Sequence, residues 1–263
     1  MIFHWYGFII GVGILFAVEL VRRQARRFDY PVSELESSIV WMMIPALIGA
    51  RVYHLLTDWQ LYQNASITEL IAIWNGGLGF YGALLGGLLG VLMYVFWSHR
   101  HHRLSTVSTT TALFLLTDLF SFGLPIGQAI GRFGNLINTE LYGLPTNLPW
   151  ALNLPEGRFH PLFAYEQICL VFLALTLFWI GFKKRLVIGK GQYFAIYLVG
   201  YGLIRFWLEY LRIQTARLSV PLDIFSIAQW VSIFLMMVGV LIFWVRRHAL
   251  KKKGAVEWDL SLQ

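Results

Sequence analysis

Residues 162–182 read LFAYEQICLVFLALTLFWIGF, from Leu162 to Phe182, with Glu166 as their one charged side chain. A helix rising about 1.5 Å per residue needs about 20 residues to cross roughly 30 Å of hydrocarbon. This run therefore predicts a transmembrane helix. Near-continuous apolar runs of similar length stand at about Ile2–Val21, Ile39–Leu56, Leu78–Trp97, Ala112–Ile130, Tyr193–Leu211 and Ile224–Val245. The fold class that follows is an all-α, polytopic integral membrane protein with about seven transmembrane helices. Composition agrees, because 57% of the 263 residues are hydrophobic and 13% are charged. A soluble domain of this size has no interior large enough to hide that much apolar surface.

The net charge is +7, but its placement argues for a membrane and against nucleic acid as a partner. Basic residues gather at alternate run ends: Arg22, Arg23, Arg26 and Arg27; Arg100 and Arg103; Lys183, Lys184, Arg185 and Lys190; Arg246, Arg247 and Lys251 to Lys253. The intervening loops hold only Arg132, Arg158, Arg212 and Arg217. The positive-inside rule then puts the N-terminus outside and the C-terminus in the cytoplasm. The first run lacks a basic leader and a small-residue cleavage site, so it reads as a retained helix. Cys169 is the one cysteine, which excludes an internal disulfide, and it lies in an apolar run where packing is its expected role.

These features describe one transmembrane helical domain over 1–253 and a short cytoplasmic tail over 254–263. A turn-rich cap on the outer side is expected at about 132–161, where Gly143, Pro145, Pro149, Pro155 and Gly157 cluster. Another outer loop, about Thr57–Gly77, carries Trp59, Tyr62 and Trp74, as an aromatic belt would. In the third run Gly82, Gly86 and Gly90 recur every four residues and share a helix face. That face serves either close helix packing or clearance for a bound lipid or peptide.

Several charged groups fall in or beside the apolar runs. Arg205, Glu209 and Arg212 are spaced i, i+4, i+7 and project from one helix face. One glutamate pairs at most one arginine, leaving a net positive face. It either snorkels as a structural ion pair or meets an anionic headgroup. Arg132, Asn135 and Asn138 repeat every three residues with Glu140 close by. An arginine fork makes two parallel bonds to a phosphate, and amides suit phosphate and glycerol oxygens. The asparagines could alternatively cap a helix end. Arg51 and Asp118, each inside an apolar run, either neutralise each other or anchor the fold. The trio His99, His101 and His102 lies among arginines with no nearby carboxylate and does not resemble a zinc site, so no metal is expected.

The run Gly131-Arg-Phe-Gly-Asn-Leu-Ile-Asn-Thr-Glu-Leu-Tyr-Gly-Leu-Pro-Thr146 closely resembles the signature of prolipoprotein diacylglyceryl transferases, membrane enzymes that lipidate bacterial lipoproteins. Four further stretches resemble that family in order: His4–Gly7, Trp74–Gly82, His160–Glu166 and Gly200–Arg212. The resemblance implies transfer of a diacylglyceryl group from phosphatidylglycerol to the lipobox cysteine thiol of a preprolipoprotein. A thioether forms, glycerol phosphate leaves, and no cofactor is needed.

By motif position it implies that Arg132 binds the lipid phosphate, that Asn135 and Gly143 shape the site and that Tyr6 lines it. Arg205 with Glu209 would form the second charged group. Asn138, Glu140 and Arg212 complete the expected substrate-binding set. The implied setting is the bacterial cytoplasmic membrane, with phosphatidylglycerol, lipobox peptides and membrane lipids as partners. Two departures stand out. Tyr81 occupies a position where many family members carry a histidine proposed as a base, and a phenol is a poor base at neutral pH. Tyr81 is still a candidate catalytic group, donating a hydrogen bond to phosphate. The segment His160-Pro-Leu-Phe-Ala-Tyr also differs from the usual His-Pro-Ser-Gln-Leu-Tyr. The alternative reading is a protein of the same fold that binds or transports an anionic phospholipid without transferase chemistry.

Overall fold

The computed structural model of the chain describes residues 5–63, 65–73, 76–101, 107–138, 141–213 and 224–252. Its long helices are α1 (Trp5–Arg27), α2 (Val32–Thr57), α4 (Phe80–Arg100), α5 (Thr109–Ile137), α6 (Leu162–Phe182), α7 (Gln192–Leu208) and α8 (Ile227–Lys252). A short helix, α3 (Ile67–Ile71), lies between α2 and α4. Among the described residues, six of these helices are long and apolar enough to cross a membrane. The remaining predicted run forms α1, whose flank Met1–His4 lies outside the described residues. Leu15, Leu85, Phe96, Phe172 and Phe234 are exposed on the helix surfaces, as expected where lipid rather than water is the solvent.

The predicted runs find their helices, with shifted ends. The second starts at Val32 instead of Ile39, because polar Ser and Glu residues in its first turns do not oppose helix formation. The fourth continues to Ile137 instead of Ile130. Its last turns are therefore part of the helix and carry Arg132 and Asn135. The sixth ends as α-helix at Leu208 and tightens into a 3-10 turn, Glu209–Leu211.

The chain forms two compact units, residues 30–116 and residues 1–29 with 117–263. In the first, α2 and α4 pack backbone against backbone. A side chain at Gly82 would collide with the Gly49 carbonyl, one at Gly86 with the Pro45 carbonyl, and one at Gly90 with the Trp41 carbonyl. The glycine stripe is thus a packing face. Ser66 and Glu69 cap α3 reciprocally, and these hydrogen bonds from Ser66 hold the Glu69 carboxyl below its ordinary range.

In the second unit the core is Phe122, Leu173, Leu177, Tyr193, Tyr197 and Leu198, from α5, α6 and α7. Gly123 admits Ala17 and Val21 of α1, and Gly239 brings α8 against Ala195 of α7. The segment between α5 and α6 contains a feature that the turn-rich reading missed: an antiparallel hairpin of β1 (Leu152–Leu154) and β2 (Gly157–Phe159). Gly157 turns it with φ of 140°, in a region that L side chains avoid.

Candidate phosphate site

Arg132 and Asn135 lie one turn apart in the last two turns of α5. Arg132 Nη1 donates to Asn135 Oδ1 at 3.2 Å, and Nη2 donates to Glu166 Oε1 on α6. Glu166 is buried. A carboxylate there needs a charged partner, since an isolated one costs several kcal/mol. The third guanidinium nitrogen, Nε, is buried without a hydrogen-bond partner among the described residues. The Arg132 side chain keeps 25% exposure, so part of its fork remains reachable.

A second charged set sits at the end of α7. Glu209 is buried. Its Oε2 lies 3.1 Å from Arg205 Nη2 and 3.6 Å from Arg212 Nη1. Both contacts are ionic, without hydrogen-bond alignment at Oε2 among the described residues. Glu209 Oε1 accepts from Ser226 Oγ at 3.0 Å. The expectation that one glutamate holds one arginine is corrected here: the 3-10 turn swings Arg212 back so that Glu209 is shared. Two guanidiniums against one carboxylate still leave a net positive charge.

Gly143 ties the helices that carry these two sets. Its N–H donates to the His160 carbonyl at 2.8 Å, just before α6, and it forms an isolated bridge with Arg212. The neighbouring Leu144 N–H donates to the Leu211 carbonyl at 2.8 Å. A Cβ at Gly143 would press on Leu211 O, Leu162 Cγ and His160 Cβ. Only glycine lets this strand pass between the start of α6, which carries Glu166, and the turn that carries Arg212.

Of the other predicted residues, Asn138 is exposed in the turn just after α5. Glu140 and the side chains of Tyr6 and Tyr81 lie outside the described residues; the Tyr81 backbone belongs to the first turn of α4. Glu166 is the residue that the site reading missed. Its signal was visible as the single carboxylate in the run that defines α6.

Arg51 and Asp118 each find backbone partners within their own unit. Arg51 donates to four carbonyls of its own unit: Glu69 at 2.7 Å, Leu70 at 2.9 Å, Gly76 at 2.9 Å and Gly77 at 3.1 Å. It anchors the connection from α3 to α4. Asp118 instead accepts from the backbone N–H groups of Gly189, Gly191 and Phe194, each at 2.9 Å. It supplies the start of α7 with an acceptor from another helix. The anchoring alternative is the one the structure selects, with backbone as the partner in both cases.

Fold and site together define a multi-pass membrane protein that keeps guanidinium groups among its helices on buried carboxylates. The sequence matches the family model described as prolipoprotein diacylglyceryl transferase over residues 1–245, and the chain belongs to that family. It is similar to proteins named phosphatidylglycerol–prolipoprotein diacylglyceryl transferase from several bacteria. The Synechococcus elongatus protein is 36% identical over 255 residues, covering 92% of this chain and 83% of the relative. The Fervidobacterium nodosum protein is 34% identical over 245 residues, 89% and 78% of the two chains. The Thermotoga maritima protein is 34% identical over 263 residues, 95% and 83% of the two chains.

Proposed function

We propose that this protein transfers the diacylglyceryl group of phosphatidylglycerol to the lipobox cysteine of a prolipoprotein in the bacterial cytoplasmic membrane. The supporting observation is the Arg132–Asn135–Glu166 constellation, joined through Gly143 to the Arg205–Glu209–Arg212 set. In the proposed complex Arg132 holds the lipid phosphate with its exposed donors. Asn135 and Glu166 fix the guanidinium plane, so little reorganisation is needed when charge develops.

The thiol sulfur attacks the glyceryl carbon bonded to the phosphate oxygen. The carbon–sulfur bond forms, the carbon–oxygen bond breaks, and its electron pair leaves on glycerol phosphate. Arg132 and Arg205 stabilise that departing charge in a water-poor site. The same positive potential favours the thiolate over the thiol, whose ordinary pKa is about 8.5. Glu209 keeps Arg205 and Arg212 oriented. Tyr6, Asn138 and Glu140 are assigned to the substrate-binding surface, and Tyr81 to a hydrogen bond on phosphate. The proposal keeps the N-terminus and the cap at about 132–161 on the outer face, where prolipoproteins emerge.

The test is purified protein with phosphatidylglycerol and a lipobox peptide, reading release of glycerol phosphate. The expected result is release that requires the peptide's cysteine. Phospholipid bound or moved across vesicles with no glycerol phosphate released would replace this reading with the binding or transport one.

A further inference from the structure

Two consecutive arginines near the end of α8 are used differently. Arg246 Nε donates to the Lys190 carbonyl at 3.2 Å and its Nη2 to the Gly189 carbonyl at 3.3 Å, which ties α8 to the loop before α7. The Arg247 side chain is exposed and has no hydrogen bond or ion pair among the described residues. It borders a groove of about 600 Å³ on the surface of α6, α7 and α8. Leu173 of α6, Val199 and Gly200 of α7, and Val240 and Trp244 of α8 belong to its walls, and Arg247 is the one charged residue in the lining. The volume suits a small ligand, but the walls lack the convergent polar groups that would orient a water-soluble one.

Small residues shape this groove. A Cβ at Gly239 would lie 2.8 Å from the Ala195 carbonyl oxygen, and one at Gly200 would lie 2.5 Å from Leu173 Cδ1. Backbone contact therefore closes α8 on α7 at Gly239, and Leu173 of α6 rests on α7 at Gly200. From Gly239 to Arg247 the helix rises about 12 Å, close to the roughly 15 Å of hydrocarbon in one leaflet. Val240, Trp244 and Arg247 follow at i, i+4 and i+7 and share a face, with Val240 and Trp244 exposed. An apolar wall, then an indole, then a guanidinium matches the order of acyl chain, glycerol level and phosphate along one phospholipid. The surroundings are basic as well. Arg246 holds the Lys190 backbone beside the end of α8, and Lys183 and Lys184, just after α6, are exposed. Asp118, the carboxylate seen against this loop, is buried and already accepts from Gly189, Gly191 and Phe194 N–H groups. Such an end attracts anionic headgroups, and a guanidinium offers a phosphate two parallel bonds.

We infer that the groove of α6, α7 and α8 holds an anionic phospholipid, with one acyl chain along Gly200 and Gly239 and the phosphate on Arg247. This lipid is distinct from one held by Arg132 and Arg205. Arg246 fixes the end of α8 to the loop at the start of α7, whereas Arg205 and Glu209 stand where α7 ends. The two places are roughly 25 Å apart along the helix, so the lipid on Arg247 belongs to the opposite leaflet. A second copy of the chain fits the groove less well. An apolar helix laid there would cover the walls and leave Arg247 without a counter-charge, which a phosphate supplies.

The experiment places the full-length protein in vesicles of phosphatidylcholine that carry a small fraction of a lipid with a photoreactive group in its acyl chain. The probe is phosphatidylglycerol in one arm and phosphatidylcholine in the other, and the cross-linked peptides are mapped by mass. No acceptor peptide is present, so the outcome does not depend on transfer chemistry. Phosphatidylglycerol should label α7 around Ala195–Gly200 and α8 around Gly239–Trp244 about fivefold more than phosphatidylcholine, the scale of one basic side chain at an anionic headgroup. Arg247→Gln should bring the two lipids to equal labelling there, and Arg247→Lys should keep part of the preference. Val240→Trp, which fills the groove from an exposed position, should reduce labelling by both lipids. Labelling of α5 near Arg132 should persist in every variant and shows that each is folded. Equal labelling by the two lipids in wild type overturns the inference, as does a wild-type preference in Arg247→Gln. Cross-links from Trp244 to a second copy of the chain, in place of lipid, overturn it in favour of a protein interface.

Discussion

Arg51 and Arg132 are both arginines inside apolar helices, and they are used in opposite ways. Arg51 spends its fork on four backbone carbonyls and is buried. Arg132 faces a side-chain amide and a buried carboxylate, keeps a quarter of its surface open, and has an Nε with no described partner. A buried guanidinium with four of its five N–H donors on backbone carbonyls is a piece of architecture, because little of it is left for a ligand. One balanced on a carboxylate and still reachable can exchange part of its hydrogen bonding for a phosphate. Partner type, more than burial or position in a helix, separates the two roles.

The contrast is sharpest in what each arginine controls when removed. Arg132→Ala is expected to lower turnover about 1,000-fold, since it removes a preorganised donor and leaves Glu166 buried without its charge partner. Arg132→Lys stays far below wild type, because an ammonium cannot present the planar fork. Initial-rate assays on correctly inserted protein check both. Arg51→Met should instead destabilise the fold by about 3 kcal/mol, as carbonyls between Glu69 and Gly77 lose their donor. A thermal-unfolding assay in detergent reads this, and the comparison breaks if Arg51→Met retains wild-type stability. Gly86→Ala is expected to cost about 2 kcal/mol by forcing α4 off α2 at the Pro45 carbonyl. Glu209→Gln, the mildest change, keeps a side chain that can bond Ser226 but loses the charge shared by Arg205 and Arg212. A drop of about tenfold in kcat/KM with unchanged melting temperature is expected.

Much of this organisation is legible in the chain itself. Apolar runs of membrane length mark the helices, and the i, i+4 spacing places Arg205 against Glu209. The four-residue glycine period marks the face of α4 that meets α2. Other features depend on tertiary geometry that no spacing encodes. Arg132 and Glu166 are 34 positions apart and meet only because α5 continues to Ile137. The choice of backbone partners by Arg51 and Asp118 is equally invisible, since either charge alone could have sought the other. The hairpin at Leu152–Phe159 hides because its strands are three residues each, too short for a period to register. Gly143 is legible as part of a motif, while its reason is the wedge between Leu211 and the start of α6.

The central claim is that the Arg132 site drives diacylglyceryl transfer to a thiol, and the mass of the acceptor peptide tests it most directly. After incubation with phosphatidylglycerol and wild-type protein, a lipobox peptide should gain one diacylglyceryl group and lose its reactivity toward thiol reagents. Arg132→Ala protein, or a Cys→Ser peptide, should give no such product. An unmodified peptide with active-site variants and wild type alike, under conditions where a related transferase modifies it, would contradict the account.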